Sequence, residues 1–134
     1  MWMSEAAEQA GVNVQTIRYY ERRGLLPAPR RGASGYRDLE PDTVRRVRFI
    51  KRAQDLGFSL DEIAELLDLR SDQVRNRSRV RGVAERRLQQ VERKIAELGA
   101  IRDVLRMLVH RCYRSRAREC PILEALEAPS EVTP

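Results

Sequence analysis

From Asp72 to Arg111 the chain runs without a proline and with only two glycines, Gly82 and Gly99. Each glycine costs a helix about 1 kcal/mol relative to alanine, which a segment this long absorbs. Apolar residues fall at Ala84, Leu88, Val91, Ile95, Leu98, Leu105 and Val109, with Ile101, Val104 and Leu108 beside them. The steps of four and three match a coiled-coil seam, interrupted at Arg102. A helix of about forty residues is roughly 60 Å long. A helix folded back on its own domain is the alternative, but so small a domain cannot cover a seam of that length. The pattern therefore predicts a homodimer.

The residues before this helix are punctuated for short helices. Ser4 is placed to cap a first helix through about Gln9, with Ala6, Ala7 and Ala10 as its packing face and Gly11 as its stop. Asn13 is placed to cap a second helix from Val14 to Arg22, where Arg18, Tyr19, Tyr20 and Arg22 mix aromatic rings with guanidinium groups. Two short helices around a glycine turn form the helix-turn-helix pattern, whose second helix reads a DNA groove. Ile17 and Leu25 read as core, whereas Arg18 and Arg22, among basic neighbours, point to phosphate. Gly24 ends the second helix, and Pro27 and Pro29 prevent its resumption. Arg30 and Arg31 then lead into a tight reversal bracketed by Gly32 and Gly35 and closed by Tyr36 and Arg37, a basic hairpin suited to a phosphate strand.

A third helix opens at Pro41 or Asp42 and runs to about Leu56, with Val44, Val47, Ile50 and Ala53 as an apolar stripe facing the first two helices. Gly57 stops it. Ser59-Leu60-Asp61-Glu62 is a capping box for a fourth helix that buries Ile63, Leu66 and Leu67. The unit of helix, glycine and capped helix thus occurs twice around one basic hairpin.

Charge agrees with this arrangement. The 134 residues carry a formal charge of +6, and eleven basic residues stand against four acidic ones between Arg18 and Arg52. After Pro121 there is no Lys or Arg. Positive charge concentrated on one segment predicts an anionic partner, here double-stranded DNA. No apolar run approaches the roughly 18–20 residues that span a bilayer, and no secretory signal precedes the first helix, so a cytoplasmic protein without a membrane partner is expected. One histidine, no glycine-rich phosphate loop and no nucleophile–base pairing leave nothing for an enzyme to use. Cys112 and Cys120, separated by seven residues of an Arg-rich loop, are no disulfide framework. In a reducing cytosol such a pair points to metal or redox chemistry. Pro121 opens a short amphipathic helix with Ile122, Leu123 and Leu126, and the residues after Ala128 read as a frayed tail.

The stretch GVNVQTIRYYERRGLL, then GYR, then VRRVRFIKRAQDLGFSLDEIAELL, the long helix and the cysteine loop together resemble the MerR-type transcription regulators from Ser4 to about Ala128. The resemblance implies a mostly α protein: a winged helix-turn-helix domain over 1–70, a dimerisation helix forming an antiparallel coiled coil over 71–111, an effector loop and short helix over 112–128, and a tail over 129–134. It implies that Arg18 and Tyr20 on the second helix, and Arg31, Tyr36 and Arg37 in the wing, contact promoter DNA. In this family an activating effector makes the dimer bend and untwist a promoter, realigning its elements for RNA polymerase.

The two cysteines match the loop cysteines of the metal-sensing branch, and C-x7-C followed by Pro-Ile is most similar to the CueR-like copper, silver and gold sensors. Soft thiolates prefer Cu(I), Ag(I), Au(I) or Hg(II). The divalent sensors of the family carry a third cysteine at the start of the long helix and the monovalent sensors usually a serine; here the matching position is Arg77, which departs from both patterns. Two thiolates around a monovalent ion leave a net negative charge that requires a compensating cation, and Arg77 or Arg75 of a partner's helix is placed to supply it. Cu(I), Ag(I) or Au(I) on Cys112 and Cys120, with Arg77 in the surrounding shell, is therefore the expectation, and Hg(II) or another divalent ion the alternative. His110 reads as a group at a helix C-terminus, with a ligand role as the lesser possibility. A thiol switch for oxidants or electrophiles, favoured by six arginines from Arg102 to Arg118, and an organic cation as effector are the other readings.

Overall fold

A computed structural model describes residues 2–27, 30–31, 37–38 and 41–129, with backbone alone described for 30–31, 37–38 and Pro41. Helix α1 spans Met3–Ala10 and α2 Val14–Arg22; strands β1 (Arg30–Arg31) and β2 (Arg37–Asp38) follow. Helices α3 (Pro41–Asp55), α4 (Leu60–Leu69), α5 (Gln73–Arg114) and α6 (Pro121–Glu127) complete the order, with a 3-10 turn at Arg70–Asp72. The two strands pair antiparallel, Arg30 opposite Asp38 and Arg31 opposite Arg37, as a basic hairpin requires. Tyr36 lies outside the described residues, as do residues 130–134 of the expected tail.

The helix ends follow their local chemistry. Gly11, Gly24 and Gly57 all have positive φ, which permits the chain to reverse at the ends of α1, α2 and α3. The Asn13 side chain accepts the Thr16 amide at 2.8 Å. At α4, Ser59 Oγ accepts the Glu62 amide at 3.1 Å while Glu62 Oε1 accepts the Ser59 amide at 2.9 Å, the reciprocal capping box. Ser4 corrects the reading: it lies inside α1, which starts at Met3 with Trp2 at its N-cap and no side-chain cap. Met3 is buried in the core, and its burial carries the helix past the available cap.

Two compact units result, residues 2–87 and 88–129. In the first, Ile17, Val47, Ile50 and Ile63 are fully buried with Ala6, Ala7, Tyr20, Val44 and Ala53 around them. Truncating one of these isoleucines to alanine is worth about 2–5 kcal/mol. The stripe on α3 therefore lies where its spacing places it. This unit also takes in the first turns of α5: Val83 is buried, and Arg87 Nε donates to the Leu56 carbonyl at 2.8 Å. Asp72 Oδ1 accepts the Arg75 amide at 3.0 Å and caps the start of α5.

In the second unit α5 continues to Arg114, so Cys112 sits on its last turn and not in a loop. No glycine or proline lies between Arg111 and Ser115, whose amide still bonds to the Arg111 carbonyl. Along α5 the seam residues Leu88, Ile95, Leu98 and Leu105 are 54–64% exposed on the single chain. Apolar surface of that extent on a highly charged helix needs a covering partner.

Candidate DNA-reading helix and thiol pair

Helix α2 divides its residues cleanly between two faces. Ile17 and Tyr20 are buried, while Gln15, Arg18, Tyr19 and Arg22 are exposed. The exposed four stand at helical spacings of three and four and share one face. A polar residue, two guanidinium groups and a phenol on a short capped helix can meet both base edges and phosphates. Arg18 is exposed on this face. Tyr20 is not: its ring is 1% exposed and its hydroxyl donates to Gln54 Oε1 at 2.6 Å. The apolar environment outweighs the phenol's polarity, and the residue joins the core. Burial, and next the Asp55 charge, raise its pKa above the usual phenol value, so the hydroxyl remains a donor. For Arg31 and Arg37 the paired backbone of β1 and β2 is described and the side chains are not.

Arg48 is one of the eleven basic residues between Arg18 and Arg52. Its guanidinium donates to the Gln9 carbonyl at 2.7 and 3.2 Å, closing the C-terminal end of α1 against α3. No local signal announces a contact over 39 residues. Lys51 pairs with Asp55 at 2.7 Å on the same helix. Arg77 lies on a groove of about 340 Å³ whose walls include Phe49, Leu66, Leu69 and Val80. Arg70 lines it too and stacks over Phe49 at 5.3 Å.

In the second unit, the last turn of α5 and the start of α6 bring the two thiols together. Cys120 is the N-cap residue of α6, followed by Pro121 at the first helical position. The Leu123 amide and then the Ile122 amide, at the start of α6, lower the Cys120 pKa; burial opposes them, and the nearby Cys112 thiol adds a smaller lowering. Cys112 is exposed and Cys120 half-buried, both reduced. Among the described residues no His, Asp or Glu joins them in a group of three that could hold a metal. The donor set is two soft sulfurs, which fits a two-coordinate soft metal ion.

A helix-turn-helix, a basic two-stranded wing and a long apolar-faced helix define a DNA-binding regulator. The chain belongs to the MerR family: residues 1–69 match the MerR HTH family regulatory protein model, and residues 44–108 the MerR DNA-binding model. It is 44% identical to the HTH-type transcriptional regulator HmrR of Rhizobium leguminosarum bv. viciae, over 94% of this chain and 97% of that protein. It is 44% identical to the mercuric resistance operon regulatory protein of Serratia marcescens, over 93% and 86% of the two chains. The transcription regulator PbrR691 from Ralstonia metallidurans CH34, solved in complex with lead(II), superposes with a TM-score of 0.78 at 35% identity, covering 94% of this chain and 98% of its own. Regulators of this family bind promoter DNA as homodimers and are not enzymes. No described helix is long and apolar enough to cross a membrane.

Proposed function

We propose that this protein controls transcription in response to a soft metal ion held by Cys112 and Cys120, and that it does so as a promoter-bound homodimer. The observation that carries this reading is the meeting of the two thiols at the junction of α5 and α6. Arg18, with Arg31, Tyr36 and Arg37 of the wing, holds the duplex, and Tyr20 acts from the core. Phosphate contacts on two half-sites offset the several kcal/mol that distorting a duplex costs. RNA polymerase is the partner that reads the result at the same promoter. A bound metal ion would offset the thiolate charge, fully if divalent and in part if monovalent, and would tie the end of α5 to the start of α6. The protein needs only to favour one dimer geometry when those two ends are tied.

Hg(II) is the effector we favour over Cu(I), Ag(I) or Au(I). Two thiolates cancel its charge, so a partly exposed pair needs neither a third donor nor a counter-cation. The name of the Serratia relative, which refers to mercuric resistance, supports the same choice. The monovalent ions are the second reading. Their residual negative charge would be met by Arg77 of the partner subunit. In its favour, the Arg77 guanidinium has no carboxylate partner among the described residues of its own chain. The deciding experiment titrates the reduced dimer with Hg(II) and with Cu(I) against a thiol competitor, counting bound metal and free thiols. One Hg(II) per chain, consuming both thiols and inducing a promoter reporter, is expected. Tighter Cu(I) binding that Arg77→Ser abolishes would establish the second reading. Binding of neither metal, with reversible thiol oxidation, would replace both with a redox switch.

A further inference from the structure

We propose that Gln54 is a positioning residue for DNA reading: through the Tyr20 hydroxyl it fixes the rotation of α2 on α3, and with it the placement of Gln15, Arg18, Tyr19 and Arg22. The inference rests on the DNA-binding function of the family and names a residue that makes this chain's reading selective.

Helix α2 has only nine residues, and apart from one hydrogen bond its inner face is held by apolar packing. Burial of Ile17 is non-directional, so it resists withdrawal of the helix more strongly than a small rotation about its axis. The bond from Tyr20 to Gln54 is different. It is short at 2.6 Å, joins residues 34 apart in the chain, and meets α3 on its last turn. Tyr20 lies two residues from both Arg18 and Arg22, so the anchor and these two arginines project on opposite sides of the helix, with Gln15 and Tyr19 between them. A side-chain tip about 6 Å from the helix axis moves about 1 Å for each 10° of rotation. Hydrogen bonds to base edges tolerate a few tenths of an ångström. A rotation of about 10° therefore suffices to misplace a base contact while leaving phosphate attraction nearly intact. Lys51 and Asp55, paired on the adjoining turn, flank the anchor and leave Gln54 as the acceptor that receives the phenol.

The test uses full-length wild type, Tyr20→Phe, Gln54→Met, the double variant and Gln54→Glu. The probes are a duplex that wild type selects from a randomised pool and a scrambled duplex of equal length and composition. Each single substitution is expected to weaken binding to the selected duplex by about tenfold, the scale of one lost base contact, with less than about twofold change on the scrambled one. The double variant should be no worse than either single. Gln54→Glu keeps an acceptor and should restore the selected-to-scrambled ratio, although its charge weakens both duplexes alike. Melting temperatures are recorded in parallel. Variants that lose stability but retain the wild-type ratio, or whose effects simply add, would overturn the inference and leave the DNA-binding reading standing. A wild type that selects no sequence would overturn both, and this control separates the two failures.

Discussion

Gly57 is where the α3–α4 turn and the start of α5 constrain one another, and its replacement by alanine has a cost that divides into two parts. Gly57 has φ +85°, and a residue with a Cβ in that region is strained by about 1–2 kcal/mol. The added methyl group would also run into the Arg87 guanidinium, which lies against Gly57 while its Nε donates to the Leu56 carbonyl at 2.8 Å. Moving the arginine aside loses that exposed hydrogen bond, worth about 0.5–1.5 kcal/mol. Gly57→Ala should therefore destabilise by about 1.5–3.5 kcal/mol in total. In an Arg87→Ala background the collision is gone, and the same substitution should cost only the backbone strain, about 1–2 kcal/mol. The two substitutions are thus coupled by about 1 kcal/mol. Thermal unfolding followed by far-ultraviolet circular dichroism reads this as a fall of about 8–12 °C in wild type and noticeably less without Arg87. All proteins must be compared at one protomer concentration, because association contributes to the melting point. An equal cost in both backgrounds would refute the packing argument, and a cost below about 1 kcal/mol would refute the strain as well.

The remaining predictions concern the thiols and the seam. Cys112→Ser and Cys120→Ser should each weaken Hg(II) binding by more than about 100-fold, beyond what loss of an outer-shell partner produces, as measured by competition with glutathione. Retention of tight binding by either variant would remove that sulfur from the site. In the reduced, metal-free protein, Cys120 should be alkylated by iodoacetamide at lower pH than a cysteine in an unstructured peptide. A lowered pKa keeps the reactive thiolate present as pH falls, and the helical amides of Leu123 and Ile122 supply the shift. Peptide mass spectrometry across pH checks this, and a profile at or above the reference peptide's would contradict it. Leu98→Asp sets a charge on a seam residue that is 55% exposed on the single chain, and sedimentation should show the dimer shifting to monomer. An unchanged dimer would mean that the seam is not the contact.

What the sequence disclosed and what it withheld differ in the range of the interactions. Asn13, Ser59 and Gly57 act within about four residues, so the helix ends they set were readable directly. The α3 stripe was readable because spacing alone determines its face. Ser4 misled because burial of the neighbouring Met3 outweighs a cap worth about 1 kcal/mol. The Cys112 turn was read as loop although nothing there breaks a helix, and chemistry drew the boundary too early. Tyr20 was ambiguous for a different reason. Its partner stands 34 residues away, and nothing in the local pattern says whether a phenol on a recognition helix faces inward or outward. Arg87 at the Leu56 carbonyl and Arg48 at the Gln9 carbonyl escaped in the same way, each hidden among many surface arginines. For the metal site, two cysteines state the number and softness of the donors. In the proposed site, the choice among soft ions turns on whether a cation from a second chain is needed, which no single chain encodes in its spacing.

In the proposed site both sulfurs come from one chain, and that arrangement has a genetic consequence. A bacterium carrying two defective alleles, one lacking each cysteine, would assemble mixed dimers in which neither loop is whole. The alleles would fail to complement, as they would not if each site drew one sulfur from each subunit. A wild-type allele beside either defective one would instead yield dimers with a single intact loop. The strength of induction in that merodiploid would reveal whether one occupied loop is enough to switch the pair.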